Sequence, residues 1–214
     1  MKQACAVFAL LLLASVSLVA ADPKLETTEA FTGQASAAVK TALAPTGYRV
    51  LDSDSKTLCE FWPAKSVNAS RQEADVLFPD LNTGAFVGVI TFPENTKDFR
   101  GLALPKGTYT LRYALIPKDA NHMGATQDPD FLVLLPVALD TDPARLYRFE
   151  ELIKASRQAS GTQHPAALAM TYQGETVPGA FTNDHGFVIL AFKTKLASGK
   201  DLPLGLIVKG QAEQ

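Results

Sequence analysis

Leu104-Pro105-Lys106-Gly107-Thr108-Tyr109-Thr110-Leu111-Arg112-Tyr113-Ala114-Leu115-Ile116 decides the fold class. Pro105 presets its own φ and Gly107 can take a left-handed conformation, so the first four residues read as a turn. From Thr108 onward the residues alternate. Tyr109, Leu111, Tyr113 and Leu115 share one side of an extended chain, and Thr108, Thr110, Arg112 and Ala114 share the other. One buried face and one more polar face is the pattern of an antiparallel sheet.

The same signals spread outward. Phe131–Leu135 is apolar at every position and reads as a central strand that Pro136 ends. Gly84–Phe92 is rich in β-branched and aromatic residues between Asn82-Thr83 and Pro93, with Gly88 marking a bulge or a close backbone approach. Tyr48–Leu51 and Thr57–Trp62 flank a polar connection of hairpin length, and Ala74–Phe78 is a weaker strand. Further strands are expected at Ala167–Tyr172, Gly186–Lys193 and Leu202–Lys209, with turns at Pro178-Gly179 and Ser198-Gly199.

Two helices are expected. Ala35–Leu43 is rich in helix formers and stops before Pro45 and Gly47. The second starts at Asp142-Pro143, a cap followed by a first-turn proline. It carries Leu146, Phe149, Leu152 and Ile153 as its stripe and stops at Gly161. Many short strands with no βαβ rhythm predict a mainly β chain, an antiparallel β-sandwich or jelly roll with one or two short helices packed on it. The domain should span 35–209, behind a polar, flexible mature N-terminus at 22–34.

Residues 1–21 read as a signal peptide. Lys2 supplies the positive start, Ala4–Val19 the apolar run, and Val19-Ala20-Ala21 the small residues before cleavage at Asp22. The expected location is periplasmic or secreted, with no membrane insertion after cleavage. The chain carries a net charge of −2, in well-mixed signs. No basic stripe points to nucleic acid. Cys5 leaves with the leader, so Cys59 has no cysteine to pair with.

Sequence motifs for phosphate loops, dinucleotide folds, metalloproteases and serine hydrolases are absent. The densest polar stretch runs from Asp119-Ala120-Asn121-His122-Met123-Gly124 to Asp128-Pro129-Asp130. It partly imitates a calcium loop, but Met123 breaks the ligand pattern and the flanks are strands. The plain reading is a solvated connection that uses Asp and Asn to turn.

Three histidines, His122, His164 and His185, could supply a zinc or copper site, although their spacing demands none. His122 and His164 are the pair expected to meet. The candidate ligand-binding set is Asp119, Asn121, His122 and His164, and the candidate divalent-metal set is His122, His164, Asp128 and Asp130. Cys59 alternates with Phe61 and reads as a small buried hydrophobe rather than a nucleophile. Asp98-Phe99-Arg100-Gly101 could present an aromatic and a guanidinium to a ligand, but a loop closed by its own Arg–Asp pair is the simpler reading.

Leu104-Pro-Lys-Gly-Thr-Tyr-Thr-Leu-Arg-Tyr113, Asp119-x-Asn-His-Met-Gly124, Asp130-Phe-Leu-Val-Leu-Leu-Pro136 and Ala159-Ser-Gly-Thr-Gln-His-Pro-Ala166 together resemble a family of uncharacterised secreted bacterial proteins. The opening Gly47-Tyr-Arg-Val-Leu51 and Cys59-Glu-Phe-Trp62 fits the same family, so the resemblance spans about residues 35–209. It implies export, carries no catalytic residue over, and puts His122 and His164 inside its motifs. The expectation is a non-enzymatic binding or envelope-associated module for a protein or small-molecule ligand. The alternative is a metal-dependent, hydrolase-like enzyme using His122 and His164 with nearby carboxylates.

Overall fold

The computed structural model describes residues 22–69, 75–116 and 128–212. In chain order the elements are β1 (Lys24–Thr28), α1 (Ala37–Ala42), β2 (Gly47–Leu51), β3 (Thr57–Pro63), β4 (Phe86–Phe92), β5 (Thr96–Lys97), β6 (Ala103–Leu104), β7 (Gly107–Leu115), β8 (Asp130–Pro136), α2 (Phe149–Ser160), β9 (Ala167–Thr171), β10 (Gly179–Thr182), β11 (Val188–Lys195) and β12 (Asp201–Lys209). Ten strands form one antiparallel sheet in the order β1-β2-β3-β4-β7-β8-β9-β12-β11-β10, and β5 pairs with β6 in a small ribbon. The sheet curls until its edge strands β1 and β10 lie against each other without ladder pairing. Its halves face across a shared core, with Phe61 of β3 edge-on to Phe192 of β11 at 4.6 Å between ring centroids. The chain is mainly β and sandwich-like, with two helices, as its alternation predicts.

The stretch that decides the fold sits mid-sheet. β7 pairs with β8 along its length, from Tyr109 opposite Pro136 to Leu115 opposite Asp130. It pairs with β4 on its other side across a bulge between Phe86 and Gly88. A Cβ on Gly88 would stand 2.4 Å from the Trp62 carbonyl oxygen, so the bulge is a close backbone approach that only glycine allows.

The outer face of β7 differs from expectation. Thr110, Arg112 and Ala114 are as buried as the inner row. α2 lies on that face, and Leu152 joins Ala114, Phe131, Val133, Leu135 and Tyr147 in a second apolar cluster. Complete burial of a leucine such as Leu152 contributes about 1.5–3 kcal/mol. Ser156 fastens the helix to the sheet, donating to the Leu134 carbonyl at 2.7 Å and accepting the Ala166 N–H at 2.9 Å. Gly161 ends α2 at φ 66°, as its sequence position predicts.

Other boundaries move for identifiable reasons. The segment 22–34, expected to be loose, contains β1. That strand pairs with β2 from Lys24 opposite Leu51 to Thr28 opposite Gly47, and Leu25 packs on the core. Asp75–Phe78 is not a strand, because the Leu77 and Phe78 amides donate to the Asp130 carboxylate instead of to a neighbouring strand. α2 begins at Phe149 rather than at Asp142-Pro143. The Asp142 side chain does accept the Ala144 N–H, but the carbonyls of Asp142, Pro143 and Arg145 turn to the Arg112 guanidinium and cannot open a helix. Gly107 is close to fully extended and opposite Phe92, not left-handed. β10, too short to stand out in sequence, completes the sheet.

Candidate functional site

β7 runs to Leu115 and β8 starts at Asp130, so these two strand ends share one end of the sheet and residues 117–127 belong to the chain between them. Asp119, Asn121 and His122 belong to that connection and lie outside the described residues. The return of the chain is anchored by Asp130, which is fully buried. Its Oδ1 accepts the Tyr113 hydroxyl at 2.6 Å and the Phe78 N–H at 3.1 Å, and its Oδ2 accepts the Leu77 N–H at 2.9 Å. One carboxylate therefore fastens β7, β8 and the 77–78 turn together. Hydrogen bonds to an ionised acceptor are the strong kind, so burial of the charge is compensated. Asp128 is half-buried two residues away. Burial first, and the Asp130 charge second, push the Asp128 carboxyl above its ordinary range.

The metal set does not assemble from the described residues. β8 and β9 pair Phe131 with Ala169 and Val133 with Ala167. That register puts His164 beside the Pro136 end of β8, while Asp130 opens the other end. Six residues of strand separate the two positions, about 20 Å. His164 is exposed, in a turn whose geometry is set by Ser160 and Thr162: both hydroxyls donate to its carbonyl, and the Thr162 hydroxyl accepts its N–H. The third histidine, His185, belongs to the β10–β11 turn at the same end as His164, and its ring stacks on Phe187 at 5.7 Å. Among the described residues, no three His, Cys, Asp or Glu side chains are grouped to hold a metal ion. The expected meeting of His164 with Asp128 and Asp130 is therefore replaced by opposite ends of one sheet.

The most highly bonded charged centre is one that sequence alternation misreads. Arg112 is completely buried in the outer face of β7. Its Nε and Nη2 donate to Asp140 Oδ2 and Oδ1, both at 2.7 Å. Nη1 donates to the carbonyls of Gly84 at 3.0 Å, Arg145 at 2.7 Å and Pro143 at 3.3 Å, and Nη2 also to that of Asp142 at 2.8 Å. The Phe86 and Tyr147 rings lie 5.2 and 5.1 Å from the guanidinium carbon. Thr110 and Tyr147 hydroxyls donate to Asp140 as well, at 2.6 and 3.2 Å. Every guanidinium N–H is used, so this centre pins the crossing segment 137–148 and keeps no donor for a ligand. The available signal was that Arg112 is the one charged residue of β7, between Leu111 and Tyr113.

Two other candidates resolve plainly. Asp98 is buried and accepts the Arg100 and Leu102 amides at 3.0 and 2.9 Å, while the Arg100 guanidinium bonds both Asp98 and the Pro165 carbonyl. Phe99 packs inward against Ala169, Ile189 and Ile207. The loop is closed by its own ion pair, as its simpler reading holds. Cys59 is wholly buried, and burial, with the Glu60 charge adding to it, raises its thiol well above the ordinary value. It sits in the core as a small hydrophobe. No family model, no curated protein and no solved structure matches the chain.

Proposed function

We propose that the chain is an exported binding module that engages a protein or small-molecule ligand through the β7–β8 end of its sheet. The observation that carries this reading is the Asp130 anchor. A buried carboxylate fastens three elements beneath the return of a connection whose residues include Asp119, Asn121 and His122. A rigid frame at the root of a connection rich in Asp, Asn and His is what binding loops favour, because the frame lowers the ordering cost of each contact. The leader-like residues 1–21 support export to the periplasm or beyond. A non-catalytic role is supported by how the buried charges are spent. Both oxygens of Asp140 and of Asp130 and every N–H of Arg112 are bonded within this chain.

A photo-crosslinking residue placed at His122, and separately at His164, tests the reading in cells that produce the protein. Adducts are expected from position 122, which belongs to the proposed binding connection, and not from 164, beside the opposite, Pro136 end of β8. Adducts from 164 alone, or equally from both, overturn it.

A further inference from the structure

The segment 75–81 and the β7–β8 end do not share a ladder, yet both hang on one atom group. Leu77 and Phe78 reach Asp130 through their amides, and Tyr113 reaches it through its hydroxyl. Each side also has its own internal closure. The Leu81 N–H donates to the Phe78 carbonyl at 3.1 Å, and the Ile116 N–H donates to the Pro129 carbonyl at 2.8 Å. Segment 75–81 starts from Asp75 at φ 62°, a left-handed conformation that a non-glycine residue holds only at some cost. Among the described residues, its backbone pairs with another segment at the Leu81–Ala69 bridge. Phe78 and Leu81 also bury their side chains in the main core, so the carboxylate is the polar link that joins this segment to the β7–β8 end.

We infer that Asp130 makes segment 75–81 and the β7–β8 end a single opening unit, so that releasing either from the carboxylate releases the other. The physical basis is charge sharing. Three donors compensate one buried charge, and withdrawing one set leaves the charge under-solvated for the rest. A ligand that pulls on the β7–β8 end would therefore be felt at residues 77–81. The inference deepens the binding reading by naming a regulation of that end, and its geometry stands without a ligand.

Hydrogen exchange of the full chain tests it without any ligand, so a failed crosslinking experiment and a failed coupling are separate results. Asp130→Asn keeps the side-chain shape but turns an NH2 toward one of the donors. The amides of Leu77, Phe78 and Leu81 on one side and Ile116 on the other should all exchange at least about tenfold faster, the loss expected for a charged hydrogen bond. Val89 and Leu190, in the β4 and β11 ladders, should be unchanged. Tyr113→Phe removes one donor and keeps the carboxylate, and it should accelerate the same four amides by a smaller factor. Acceleration on one side alone overturns the inference. So does uniform acceleration across the sheet in both variants.

Discussion

Arg112 and Asp130 belong to adjacent strands and do the same mechanical task by opposite electrical means. Arg112 holds the segment 137–148 to the outer face with a paired charge. Its partner Asp140 is equally buried, four carbonyls take the remaining N–H groups, and two aromatic rings cover the guanidinium. Asp130 holds the 77–78 turn and β7 through three neutral donors among the described residues, and its charge is felt by the Asp128 carboxylate. The first centre is neutral overall and closed. The second is compensated by hydroxyl and amide donors instead of by a paired cation among the described residues. Two buried charges in adjacent strands are thus compensated by different means, an opposite charge in one and neutral donors in the other.

The comparison can be broken by removing each centre in turn. Arg112→Met should be the most damaging change, lowering stability by about 3–5 kcal/mol, because Asp140 is left charged and buried without its partner. Adding Asp140→Leu should recover only part, since four carbonyls still lose the guanidinium N–H groups, and of these the Asp142 carbonyl keeps the Arg145 amide. Urea unfolding at constant slope reads both. Asp130→Asn should cost less, about 2–3 kcal/mol, because one amide oxygen still accepts from part of the donor set. If the order is reversed, the sheet end rather than the outer face is the stronger joint.

Asp128→Asn should be the smallest change, and its sign is opposite. A carboxyl whose folded value lies above its unfolded one stabilises the fold while protonated, and that contribution is lost as pH rises through the folded value. At neutral pH the ionised Asp128 is thus a burden, relieved by asparagine. The gain should be a few tenths of a kcal/mol after solvent screening, vanishing below about pH 3. Thermal melts of both proteins at pH 7 and pH 3 check it. A destabilised variant at pH 7 would mean that Asp128 contributes more through its own contacts than it loses through repulsion.

The strands were legible where alternation or apolar runs spoke for themselves, as in Thr108–Ile116 and Phe131–Leu135. The exceptions share one cause, a partner far along the chain. Arg112 reads as a solvent-facing residue until segment 137–148 and α2 cover it. Asp142-Pro143 is a strong local helix start, yet its carbonyls are claimed by that same arginine. Lys24–Thr28 has one apolar side chain and becomes a strand because β2 offers an edge. At the candidate site, Asp130 was legible as important but not in its role. Five apolar residues follow it directly, the mark of a carboxylate taken into the core rather than left to bind a metal. His164 was grouped with Asp128 and Asp130, which the β8–β9 register puts at the other end of the strand, because turn position says nothing about register.

The seam between β1 and β10 has a consequence in time. It joins the first strand of the sheet to the tenth, across about 150 residues of chain, the kind of contact that forms late. Until then two unpaired edges stand open, each a template for another chain. Lys24 and Glu26 are exposed on the first of them, and charge is what discourages a stranger from docking there. Once β10 arrives, the edges shelter each other, and a ribbon that could have grown indefinitely becomes finite.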